Sequence, residues 1–136
     1  MRYLDQVLDA HPQPAGSNGD AARECIRASL ECAAACTACA DACLHESHVK
    51  TLVECIRLDL DCADICATTA RLLARAGHTD APTLHLLLQT CEQASRSCAT
   101  ECARHAAAGM EHCAACAEAC IRCADACERM SAALVT

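Results

Sequence analysis

The chain has 136 residues, enough for one domain around a single core, and a formal charge of −7 that leaves it without the basic patch needed to hold nucleic acid. Phe and Trp are absent and Tyr3 stands alone, so the aromatic anchors usual in a core of this size are missing, and 16 cysteines take their place. No window reaches the roughly 20 uncharged apolar residues needed to cross a bilayer, strand signals are absent, and Ala, Leu, Glu and Arg point to an all-α domain.

Residues 1–16 read as a short helix and linker. Tyr3, Leu4, Val7 and Leu8 suit an amphipathic helix lying against a larger body, and Pro12, Pro14 and Gly16 mark the linker. This segment lacks the apolar run and small-residue cleavage site of a secretory signal, so a cytoplasmic location is expected. Residues 17–136 carry four predicted long helices, Asn18 to His45, Ser47 to Ala76, Asp80 to Ala108 and Met110 to Ala133. Ser47 is the expected N-cap of the second and Gly77 its C′ residue; Thr79 or Asp80 caps the third, which accepts Pro82 in its first turn; Gly109 separates the last two. Short connections make neighbours antiparallel, which predicts an up-down-up-down four-helix bundle.

Each long helix repeats one spacing, a cysteine followed seven and then eleven residues later by another: Cys25, Cys32, Cys36; Cys55, Cys62, Cys66; Cys91, Cys98, Cys102; Cys116, Cys123, Cys127. Cys39 and Cys43 extend the first stripe, and Cys113 and Cys120 fill out the last. Steps of three, four and seven keep side chains on one helical face, and at about 100° per residue the first helix holds its cysteines within roughly 40° of one line. Four inward thiol stripes follow.

Buried cysteine also packs as a small hydrophobe, but sixteen of them with so few other core residues favour metal binding over plain packing. A disulfide core fits poorly with a reducing compartment and with cysteines four apart on one helix, whose side chains run parallel. Soft thiolates select Cu(I), zinc or iron–sulfur clusters. Structural zinc takes discrete tetrahedral sites, commonly in loop knuckles, and iron–sulfur clusters use about four cysteines each, whereas Cu(I) accepts two or three sulfurs that neighbouring ions share. Sharing brings capacity toward roughly one copper per cysteine, and multiple Cu(I) ions per chain are the expected cargo. A zinc or mixed-metal thiolate buffer is the alternative.

These residues resemble the cytosolic copper storage proteins, cysteine-rich four-helix bundles, over about Asn18 to Ala133 and on the repeated Cys-x6-Cys-x3-Cys stripe. The resemblance implies a homotetramer of bundles, Cu(I) clusters along each axis and a role in sequestering copper. A copper chaperone or chelator is the expected donor.

The predicted topology gathers the first–second and third–fourth connections at one end, with His45, His48, His105, Met110 and His112. By projection His48 and His105 continue their stripes, Met110 and His112 fall further off, and His45 points nearly opposite. His48, His105 and His112 are therefore candidate ligands at a mouth for metal entry and exit, since imidazole also binds copper. At the other end the stripes run on as Leu73, Leu84, Leu87 and Leu88, with Met130 and Leu134, an apolar plug. Asp59 comes near the second stripe, while Asp41, Asp64, Glu118 and Asp125 are expected to face solvent. Glu-x-x-His, Ser-His-Asp and Gly-rich phosphate signatures are absent, so no enzyme is expected.

Overall fold

Between the Gly and Pro breaks the chain is built of helix-forming residues, and the segments coil accordingly. The computed structural model describes residues 1–75 and 78–134. Five α-helices follow in order: α1 Arg2–Asp9, α2 Gly19–Leu44, α3 Val53–Leu73, α4 Ala81–Ala106 and α5 Glu111–Leu134, with a 3₁₀ turn Val49–Leu52 ahead of α3. The described residues contain no strand. The four long helices form the antiparallel bundle. Helix α2 packs on α3 and α5, and α4 packs on the same two, so α2 faces α4 and α3 faces α5 across the axis. Every one of the sixteen cysteines is buried and free. Small Ala side chains fill the seams beside them, among them Ala28, Ala63, Ala99, Ala117 and Ala124.

The helix ends differ instructively from expectation. Asp80, rather than Thr79, caps α4: its Oδ2 accepts from the Thr83 backbone N–H at 2.9 Å and from the Thr83 hydroxyl at 2.7 Å, which holds its carboxyl below the ordinary range. Replacing Asp80 by Ala is expected to lower the urea midpoint of the metal-free protein under reducing conditions, because the cap of α4 is lost. Gly109 takes a φ of 98°, and the Met110 N–H reaches back to the His105 carbonyl at 3.2 Å, closing α4 with a left-handed turn that glycine tolerates best. The expected C′ residue Gly77 and the predicted helix end Ala76 lie outside the described residues. Ser47 is not an N-cap. The chain turns first through 3₁₀ geometry, where both the N–H and the hydroxyl of Thr51 donate to the His48 carbonyl, at 3.0 and 2.9 Å, and α3 begins only at Val53.

Helix α1 docks by half of its expected face. Leu8 is buried and Leu4 is half-buried against the core, while Tyr3 and Val7 face solvent. Leu4 and Leu8 share one line of the helix, and Tyr3 and Val7 sit about 100° away from it. Arg23 and Arg27 of α2 fasten α1 through Asp5, at 3.0 and 2.6 Å, and Arg23 also pairs with Asp9 at 2.6 Å.

The interior has two unlike ends. Leu73, Leu84, Leu88 and Met130 are buried beyond the last thiols, with Leu87 and Leu134 half-buried, so the apolar plug is present. No helix among the described residues is long and apolar enough to cross a membrane.

Candidate metal centre

Each inward stripe brings its sulfurs against those of neighbouring helices. Cys36 of α2 lies at the hub: its Sγ is 3.5 Å from that of Cys120, 3.7 Å from Cys116, 3.8 Å from Cys32 and 3.9 Å from Cys98. Cys32 extends the network to Cys62 at 3.8 Å, and Cys62 to Cys66 at 3.7 Å. Toward the plug, Cys66 meets Cys123 at 3.6 Å and Cys91 at 3.8 Å, and Cys25 meets Cys127 at 3.8 Å. Toward the connections, Cys55 meets Cys102 at 3.7 Å and Cys39 meets Cys113 at 3.8 Å. The four sulfurs of Cys32, Cys36, Cys62 and Cys120 lie within 4.8 Å of one another, as do those of Cys36, Cys98, Cys116 and Cys120. Because these groups share members, ions held in them would share sulfurs.

The thiols are not electrostatically equivalent. Hydrogen bonds with neighbouring thiols pull Cys62, Cys116 and Cys123 below the ordinary thiol range, with Cys120, Cys102 and Cys127 the strongest contributors in turn. Their partners Cys36, Cys66 and Cys120 are pushed up by contacts in the same network. Cys55 is held down to about 3, chiefly by Cys102 and then Cys39, with His105 adding to the pull. Burial pushes Cys113 up to about 11. A thiolate ringed by thiols is thereby solvated by S–H dipoles where water is excluded.

Asp59 belongs to this network. It is fully buried; the Cys98 S–H donates to its Oδ1 at 3.0 Å, and the sulfurs of Cys116 and Cys102 lie 3.3 and 3.4 Å from the same oxygen. Burial pushes its pKa to about 7 against the pull of the Cys98 S–H, and negative charge on Cys116 and Cys55 adds to the rise. With Cys39, Cys102 and Cys116 it forms one of the compact donor groups.

The histidines sort differently from their projection. His112 comes closest to the sulfurs, with Nδ1 3.4 Å from Cys39 and 3.6 Å from Cys113, and it joins Cys39, Cys43 and Cys113 in a compact group. Its Nε2 lies 3.3 Å from the Glu46 carboxylate. His105 turns inward with its side chain 14 % exposed and its Nε2 2.8 Å from Glu101. His48 does not continue the α3 stripe; it is exposed, ahead of the 3₁₀ turn. A 3₁₀ turn rotates about 120° per residue instead of 100°, so counting back from Cys55 on α-helical spacing puts His48 on the wrong bearing. His45 is exposed, its Nδ1 2.9 Å from the Asp41 carbonyl of its own helix.

A family model described as Csp, copper storage protein, matches residues 18–132. The chain belongs to the copper storage protein family. Among curated proteins none matches. The copper storage protein Ccsp from Streptomyces lividans, loaded with 10 copper equivalents, superposes with a TM-score of 0.90 at 45 % identity, over 95 % of this chain and 98 % of that one. A cytosolic copper storage protein from the same organism with five coppers gives 0.82 at 48 % identity, over 87 % and 98 %. Csp3 of Bacillus subtilis in its Cu(I)-bound form gives 0.70 at 40 % identity, over 82 % and 98 %.

This member of the copper storage family carries polar groups in its thiol core that the cysteine count alone does not disclose. Ser29 and Ser95 are fully buried; Ser29 Oγ lies 3.6 Å from Cys123, and Ser95 Oγ 3.7 and 3.8 Å from Cys62 and Cys66. Their signal is spacing, for each stands four residues after one stripe cysteine and three before the next. Glu101, four residues before His105, carries a similar local signal. Glu46 carries none, because its partner is 66 residues away. Asp41, Asp64 and Glu118 are exposed as expected, and Asp125 is half-buried on an ion pair with Arg96 at 3.3 Å.

Proposed function

We propose that the bundle interior stores Cu(I), many ions per chain, on the thiolates of its sixteen cysteines, and that the ions enter and leave at the histidine end. The observation that carries this reading is the sulfur network, whose contacts of 3.5–3.9 Å join all four long helices. Two- and three-coordinate Cu(I) uses shared thiolates of that density, whereas tetrahedral zinc would partition sixteen sulfurs into about four separate sites. The Cu(I)-bound and copper-loaded relatives support the same metal. The match to the copper storage family supports sequestration rather than catalysis as its role.

His112 is the inner station of the mouth and His105 its neighbour, with His48 at the outer edge of the same end. The opposite end is closed mainly by Leu73, Leu84 and Leu88, which offer copper no ligand, with the Met130 thioether buried beside them. The same reading includes a cytosolic location, in keeping with the cytosolic relative, a homotetrameric assembly, and a copper chaperone or chelator as donor.

Reduced protein titrated with Cu(I) against a strong chelator is expected to take up on the order of one ion per thiol, beside a parallel titration with Zn(II). Saturation by about four zinc ions with weak copper uptake would overturn the reading. The triple variant His48→Ala, His105→Ala, His112→Ala is expected to load more slowly and still reach most of the wild-type capacity. An unchanged loading rate would sink the histidine mouth.

A further inference from the structure

The two inward histidines have one feature in common that the outward ones lack: Nε2 rests on a carboxylate, Glu46 for His112 and Glu101 for His105. A neutral imidazole has one N–H and one lone pair, and whichever nitrogen donates to a partner leaves the other free for a metal. A carboxylate accepts but does not donate, so a bond to Glu46 keeps the proton on Nε2. The lone pair is then on Nδ1, which faces Cys39 at 3.4 Å and Cys113 at 3.6 Å. Glu46 follows α2 and His112 lies in the first turn of α5, so the contact spans the mouth and exists only once the bundle is assembled.

We infer that Glu46 is a positioning residue for copper transfer: its carboxylate fixes the tautomer and rotation of His112 so that Nδ1 hands Cu(I) to Cys39, Cys43 and Cys113. The inference rests on the storage reading above. A ring held at Nε2 cannot turn its lone pair to solvent, and the carboxylate makes Nδ1 a stronger donor. Glu101 differs in being nearly buried, on the same helix as its histidine, and shared with Arg104 at 2.6 Å; it holds His105 as part of α4, whereas Glu46 ties His112 to a separate connection.

The test compares the full-length Glu46→Ala, Glu46→Gln, His112→Ala and Glu46→Ala/His112→Ala proteins, loaded from a Cu(I)–chelator complex. E46A is expected to load about tenfold more slowly, the usual scale for losing an outer partner of a ligand, with saturation capacity and helical circular dichroism unchanged. In E46Q the amide oxygen still accepts from Nε2, so most of the rate returns. Ring ¹⁵N shifts of His112 in the metal-free protein should report the Nε2–H tautomer in wild type and E46Q, and a mixture in E46A. In the His112→Ala background the Glu46 substitution should have no further effect. Wild-type loading by H112A would sink the histidine entry route itself. A slowed H112A beside an unslowed E46A, an unchanged tautomer in E46A, or equal slowing by E46A with and without His112 would each overturn the role of Glu46 alone.

Discussion

Asp59→Asn is expected to make the metal-free, reduced protein more stable than wild type by about 4 kcal/mol at pH 8, and to leave the two equally stable near pH 3. The carboxyl of Asp59 has its pKa raised from 3.8 to about 7, first by burial. A carboxyl with a raised folded-state pKa binds more protons folded than unfolded, so its contribution to stability falls as pH rises. Below about pH 4 both states are protonated and there is no cost. Above about pH 7 both are ionised and the full cost of a buried carboxylate among thiols is present. Asparagine keeps the shape and an acceptor oxygen for the Cys98 S–H but cannot ionise. Taking the difference between variant and wild type removes the titration of thiols remote from Asp59, while those coupled to it, Cys39, Cys55 and Cys116, contribute to the difference. Urea denaturation at several pH values between 3 and 8 measures it, and a difference that is flat with pH would contradict the buried ionisation. The same carboxylate in the copper-loaded protein would face sulfurs whose charge the metal has neutralised, so the pH dependence of the difference should shrink on loading.

Leu88→Ala should lower the stability of the metal-free protein by about 3 kcal/mol and leave its copper capacity at saturation unchanged. Leu88 is fully buried, in the plug with Leu73, Leu84 and Met130. Their rods are held at both sides by neighbouring helices, so the layer cannot collapse into the space a leucine vacates. Cysteine and alanine fill most of the remaining interior with small side chains, which places most of the large apolar burial at this end, with Leu52 and Met110 buried at the other. Denaturation and Cu(I) titration of the same preparation separate the two effects. A loss below about 1 kcal/mol would mean that the plug adds little to the fold, and a proportional loss of capacity would mean that it shapes the thiol sites.

The stripes and the bundle were legible because both are local. Cysteines seven and eleven residues apart must share a helical face whatever surrounds them, and connections of a few residues must return the chain beside itself. The plug was legible for the same reason, since Leu73, Leu84 and Leu88 continue lines already drawn by Cys66 and Cys91. Ser29 and Ser95 stand on those lines too, but serine at an inward position carries no chemistry as loud as cysteine's.

At the end that carries His48, His105 and His112 the periodicity ends. His48 is placed by a 3₁₀ turn that replaces the capped α-helix start expected at Ser47, and its bearing changes with each residue of that turn. His112 projects off its stripe on an isolated helix, yet it reaches Cys39 because of how α5 is rotated against α2. Glu46 meets it from across the bundle. Helical spacing alone thus carries the fold, the sixteen inward thiols and the contrast between a sulfur-rich tube and a leucine end. Which histidine meets the thiols, which carboxylate holds it, and which sulfurs surround Asp59 depend on turn geometry and on the rotation of each helix about its own axis, and these are set by packing between residues distant in the chain.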